Sequence, residues 1–189
     1  MVMLVLAVLS ASAAVGMRIA LPLLVIGLLS GENLWSNLPL LSHIKPQILL
    51  SVLTSWSLFE LFASKKLLGQ RILQIVQLFF SPLVGALIAV VIAKIFALDF
   101  SPTWLIGFLG AIFALLLTLV KVGWFFRLRG IPIWIVIIED IMSIALIFFA
   151  LEAPEEGGLI ALLLLWISLR SAAAWRDWYN QSQQLKLDH

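Results

Sequence analysis

Six stretches of this sequence are long and apolar enough to cross a bilayer as helices: residues 2–29, 47–63, 82–98, 103–121, 131–151 and 159–174. A crossing takes roughly 20 residues of helix. Inside hydrocarbon every backbone N–H and C=O must be bonded within the chain, which leaves only helices or a closed barrel. Leu, Ile and Val dominate the six stretches and no long period-two alternation appears, so helices are favoured. The segments between them are too short for a separate soluble domain. Residues 1–174 therefore read as one all-α transmembrane domain, a compact bundle of about six helices in a lipid bilayer, and 175–189 as a short cytoplasmic tail. The balance of 63% hydrophobic to 12% charged residues lies well outside the soluble range.

The opening "MVMLVLAVLSASA" has the look of a signal peptide with a small-residue cleavage site. It lacks a positive n-region, and cleavage would leave only a short apolar fragment, so we expect it to be kept.

Charge orients the predicted helices. Lys65, Lys66 and Arg71, then Lys121, Arg127 and Arg129, then Arg170, Arg176 and Lys186 fall at one side. Glu32, Lys45, Asp99, Glu152, Glu155 and Glu156 fall at the other. Lys and Arg accumulate in cytoplasmic loops, and six crossings with both termini cytoplasmic satisfy that rule at every loop. Lys94 and Lys121 are expected to snorkel outward at the ends of their helices. Between the second and third crossings, Lys66, Gln70, Gln74 and Gln77 share one helical face, followed by Pro82. We read this as an amphipathic helix on the cytoplasmic surface; a long third crossing with a polar start is the alternative.

Glu139 and Asp140 sit side by side within the fifth stretch, "IWIVIIEDIMSIALIFF". Each costs about 2.5–3.5 kcal/mol on insertion scales, while each Ile, Val, Leu or Phe around them offsets about 0.3–0.6. The stretch inserts only marginally, so the acids need partners. Arg18, in the first stretch beside Ala7, Ala11, Ala14 and Pro22 on one face, is the leading partner, because its planar fork suits a carboxylate and keeps its charge. Neighbouring helical residues point about 100° apart, so one Arg should not serve both acids equally. Ser143 shares the face of Glu139. Arg18, Glu139, Asp140 and Ser143 form the expected polar centre. Glu60 ends the second stretch, where Gln47, Ser51, Thr54 and Ser55 offer a secondary polar path; an interfacial acid beside cytoplasmic lysines is the bland reading. Gly85, Ala89 and Ala93, and likewise Gly110, Ala114 and Thr118, are small-residue stripes of the kind that let helices approach closely.

Much chemistry is excluded. With no cysteine there are no disulfides, thiolate metal sites or Cys nucleophiles. His43 and His189 have no partners at metal-ligand spacing, so neither a metal nor a cofactor is expected. The net charge of +2 includes no basic block for nucleic acid. No phosphate loop or nucleophile motif is present, which leaves an enzyme the least supported class. Two readings remain. One is a small carrier or channel for an ion or solute, centred on the buried charges. The other is a non-catalytic scaffold or assembly factor, in which those charges fix helix register and the surface helix or "AAAWRDWYNQ" meets a membrane-protein partner or a second copy.

The chain resembles a family of small bacterial integral membrane proteins, domain of unknown function 4126. The resemblance rests on "AAVGMRIALPL" at 13–23, on Glu60 followed by "ASKK", on "SPLVGAL" at 81–87, on Lys121 and on the "ED" of 139–140. Where the family carries an acid before the lysine that follows the second crossing, this chain has Ser64 and Lys65. The resemblance implies the bacterial inner membrane, or a thylakoid in a phototroph, and no activity.

Overall fold

The computed structural model describes residues 2–30, 45–63, 67–96, 103–128 and 132–187. They form seven helices, with no strand among the described residues: α1 Val2–Met17, α2 Ala20–Ser30, α3 Pro46–Ala63, α4 Leu67–Ile95, α5 Thr103–Leu128, α6 Ile133–Glu152 and α7 Pro154–Leu187. Among the described residues, four segments are long and apolar enough to cross a membrane: Leu68–Ile95, Thr103–Phe125, Ile133–Glu152 and Pro154–Ala173. Large apolar side chains such as Phe79, Phe108, Ile141 and Leu163 cover their outer faces. So much exposed apolar surface marks a face that meets lipid or another protein.

The first predicted crossing is two helices. Pro22 lies in the first turn of α2. It has no N–H for the Arg18 carbonyl, and its ring crowds that same carbonyl, so the helix stops at Met17 and restarts at Ala20. α1 is the centre of the bundle and packs against α4, α5, α6 and α7. Its residues from Ala7 to Gly16 are all buried. Small side chains on every face make this possible: Ala7, Ser10, Ala11, Ser12, Ala13 and Ala14 let neighbours come close all round.

Paired contacts set the helix directions. Ser10 donates to the Leu146 carbonyl at 2.7 Å, Ser143 donates to the Ala14 carbonyl at 3.1 Å, and Arg18 meets Asp140. Numbers rise on α1 as they fall on α6, so these two are antiparallel. Ser12 lies against Gly110 and Gly16 against Leu117, so α1 and α5 are parallel. α7 runs the same way, with Gly157 against Ser10 and Leu164 to Ser168 in one cleft with Gly16 and Met17. α4 opposes α5 and α3 opposes α4: Ser81 meets Thr118, Gly69 meets Ala63 and Gln77 meets Glu60. α2 packs on α3 and α6, and Ile26 joins the same apolar cluster as Leu4, Ile92 and Leu49. The chain therefore doubles back at Arg18–Ile19, and α2 returns toward the end of the bundle where α1 began.

Two expectations are corrected by these directions. A straight crossing over 2–29 is instead a hairpin that enters the bundle and turns back. Because α1 and α7 are parallel, the start of the first helix and the end of the last lie at opposite ends, not on one side. A third difference concerns residues 66–98. The described part is one continuous helix, α4, with Pro82 inside it. Gln70, Gln74 and Gln77 are buried rather than turned to a membrane surface. Their face continues through Ser81 to Gly85 and Ala89, the stripe that packs on α5. Here the small residues meet: a Cβ on Gly110 would lie 2.5 Å from the Ala89 Cβ and 2.6 Å from the Gly85 carbonyl oxygen. The segment read as a tail from residue 175 is helical to Leu187 as the end of α7.

Candidate functional site

The break in the first hairpin points its loose ends into the bundle. The last carbonyls of a helix have no partner inside it and carry its negative dipole end. Side chains from two other helices, α5 and α6, reach them here. Lys121 Nζ donates to the Met17 carbonyl. Thr118 Oγ1 lies 3.0 Å from the Gly16 carbonyl and 2.7 Å from Ser81 Oγ. Ser143 adds a second donor to the Ala14 carbonyl, which already accepts from the Arg18 N–H at 2.9 Å. A cation at a helix C-terminus is the favourable sign, so Lys121 both bonds α1 and neutralises its end.

The buried charges gather around this end. Arg18, 4% exposed, holds Asp140 through Nε to Oδ1 at 2.6 Å. Lys121 faces Glu139 at 3.9 Å. The adjacent acids thus part as their 100° separation requires, each toward a different cation. The same Lys121 ammonium donates to Gln77 Oε1 at 2.8 Å. The Gln77 amide passes the network on, with Nε2 donating to Glu60 Oε1 at 3.4 Å, and Trp56 Nε1 donates to that oxygen at 3.1 Å. Five segments thus meet in one polar layer: the α1–α2 turn, α3, α4, α5 and α6. A cleft of about 210 Å³ reaches the layer between α5, α6 and α7, lined by Met17, Lys121, Trp124, Ile135, Glu139 and Ser168 among others.

A family model for a domain of unknown function, DUF4126, matches residues 5–174, nearly the whole chain. The chain belongs to this family. No curated protein and no solved structure matches it. The DUF4126 match takes in every residue of the polar layer, from Met17 to Ser143, and the α1–α2 hairpin.

The structure brings together Arg18, Glu139, Asp140, Ser143 and Glu60 from the sequence-predicted set. It does not bring Gln47, Ser51, Thr54 and Ser55 to them. Those three hydroxyls are exposed and donate to the carbonyls of Gln47, Leu50 and Ser51 on their own helix. Gln47, Ser51 and Ser55 line an outer groove on α3, whereas Glu60 is 2% exposed and faces α4. Glu60 is therefore turned into the protein, toward α4.

Lys121 and Gln77 are the members that sequence reading missed. Lys121 does not snorkel; it is turned inward and bound. A signal was present, since Lys121 follows Thr118 by three residues and so prolongs the Gly110, Ala114, Thr118 stripe. Gln77 likewise prolongs the Gly85 stripe. Each polar residue sits where a packing face runs on past its small residues.

Proposed function

We propose that this protein is a small membrane carrier or channel for an ion or solute, and that the polar layer around Arg18, Lys121, Glu139 and Asp140 is where the cargo binds. The observation that carries the reading is the broken α1–α2 hairpin. Interrupted backbone at membrane depth survives only against protein or a water-filled cavity. In carriers such half-helix ends form the binding site near the middle of the membrane. The cleft that reaches Lys121 and Glu139 supplies the way in.

In the membrane, the four long segments of α4 to α7 cross, we read the 18-residue α3 as a fifth crossing beside them, and the Lys and Arg bias favours the basic end of the bundle in the cytoplasm. The α1–α2 hairpin then enters from the opposite face. α1 has 16 residues, about 24 Å, short of a hydrocarbon core of about 30 Å. The cytoplasmic membrane is the site that fits this charge bias. Topology is tested with single cysteines, because the native chain has none. Met3→Cys and Arg176→Cys, both exposed in the fold, should label from opposite sides of sealed vesicles. Labelling from one side would end the hairpin topology.

A second reading, a scaffold with structural charges, is favoured by one observation: both Arg18 and Lys121 already face carboxylates. Ser168→Cys and Ile135→Cys, in the cleft, separate the two. Reaction with a small impermeant thiol reagent, together with solute or ion flux in proteoliposomes that falls at least tenfold in Asp140→Asn, supports transport. No labelling and no flux in the folded protein, with a larger complex on purification, would leave the scaffold.

A further inference from the structure

Five charged side chains share the polar layer, and they do not balance. Arg18 and Lys121 supply two positive charges; Glu60, Glu139 and Asp140 supply three negative ones. Asp140 has Arg18 at 2.6 Å and Glu139 has Lys121 at 3.9 Å. Glu60 has no such ion pair among the described residues. Its Oε1 accepts from Trp56 and Gln77, while its Oε2 is buried without a hydrogen-bond partner. Two other buried oxygens on these helices are orphaned: Ser57 Oγ on α3 and Gln74 Oε1 on α4. Ser57 precedes Glu60 by one turn on the face that meets α4. Gln74 precedes Gln77 by one turn on the face that meets α3. Glu60 and Gln74 are 2% and 5% exposed.

Buried acceptors without donors are costly and rare, and each calls for a cause. Here they are oxygens from two facing helices in a layer one positive charge short of neutral. From this we infer that Glu60, Gln74 and Ser57 form a binding site for one small monovalent cation, a proton or an alkali ion. A single bound positive charge serves Glu60 Oε2 and neutralises the layer. A proton on that oxygen turns it into a donor for a neighbouring acceptor, while an alkali ion takes the three oxygens as ligands. A divalent ion fits poorly, since the site has one carboxylate, and no cluster of three His, Cys, Asp or Glu occurs among the described residues. The charged groups facing Glu60 are Arg18 from the hairpin turn and Lys121 from α5; the neutral ones are Trp56 on its own helix and Gln77 on α4. The site does not depend on the transport reading, because binding is measurable without flux.

The test uses the full chain in nanodiscs of zwitterionic lipid. Thermal unfolding is followed in Na⁺, K⁺ or Li⁺ chloride against N-methyl-D-glucamine chloride at equal ionic strength. Infrared difference spectra between acid and alkaline buffer follow the C=O stretch of protonated carboxyls. For an alkali ion, wild type gains stability saturably with that ion, Glu60→Gln loses the gain, and Gln74→Leu needs roughly tenfold more ion, as for a lost supporting ligand. For a proton, no salt is preferred, and one carboxyl band disappears in Glu60→Gln and shifts in Gln74→Leu. The proposal is overturned if wild type shows neither response, or if whichever it shows persists unchanged in Glu60→Gln. Should that variant not fold, an unaltered response in Gln74→Leu overturns it equally.

Discussion

Two prolines sit in two of the buried helices, with opposite results. At Pro22 the chain stops, turns and starts a new helix; at Pro82 it runs on within α4. Each removes one backbone donor and crowds one carbonyl a turn earlier. The difference lies in what surrounds them. Near Pro22, two foreign side chains, Lys121 and Thr118, stand ready for the carbonyls of Met17 and Gly16. Near Pro82, the next turn is clamped on α5, where Gly85 comes so close that an added Cβ would lie 2.6 Å from the Ala114 Cβ and 2.7 Å from the Gly110 carbonyl oxygen. A proline permits a break. Neighbours that satisfy the freed backbone decide whether it happens, and a tight apolar contact holds the helix together where they do not.

The largest expected effect falls on the neighbour that does most at the break. Lys121→Met leaves the Met17 carbonyl, Gln77 Oε1 and Glu139 without their cation, and should cost about 3–5 kcal/mol, as for one half of a buried ion pair. Unfolding titration in mixed micelles measures it; a loss under about 1 kcal/mol, the scale of an exposed pair, would mean the break needs no such support. Next comes the clamp. Gly110→Ala places a methyl against the backbone of α4 and should lose about 1–3 kcal/mol by overpacking. A neutral result would remove the clamp as the reason α4 survives Pro82.

Thr118→Val removes a hydroxyl shared between the Gly16 carbonyl and Ser81, for a loss of about 1 kcal/mol. The smallest effects belong to the prolines themselves. Pro22→Ala should change stability by less than about 1 kcal/mol, because the turn is held by its partners. Spin labels at Met3→Cys and Leu28→Cys, both exposed, report its shape. One continuous helix would hold their backbones about 38 Å apart, and a much shorter separation in both wild type and Pro22→Ala is expected. A long distance in the variant would show that proline alone makes the turn.

Helix positions were largely legible in the sequence, because length and hydropathy select them. The identity of the charged residues was legible too, since Arg18, Glu139 and Asp140 stand out against apolar neighbours. Direction was not. The Lys and Arg bias sorts loops between sides, and it sorts α3 to α7 the same way whether the first segment crosses or turns back. Only Pro22, four residues beyond Arg18, marks the turn, and Pro82 shows that the same mark can mean nothing. The role of Lys121 was hidden because a lysine near a helix end has two outlets, headgroups or a buried acceptor. Which one it takes depends on the Met17 carbonyl, 104 positions away in the chain.

The central place of α1 has a consequence for how the protein is made. α1 leaves the ribosome before every helix that comes to surround it, and its neighbours α6 and α7 follow after α4 and α5. Arg18 must wait for Asp140, 122 residues later (140 − 18), which at about 5–20 residues per second is on the order of ten seconds. During that interval an unpaired guanidinium stands in or beside the membrane. The native setting of the hairpin is therefore completed late in synthesis, once α6 has supplied Asp140 to Arg18.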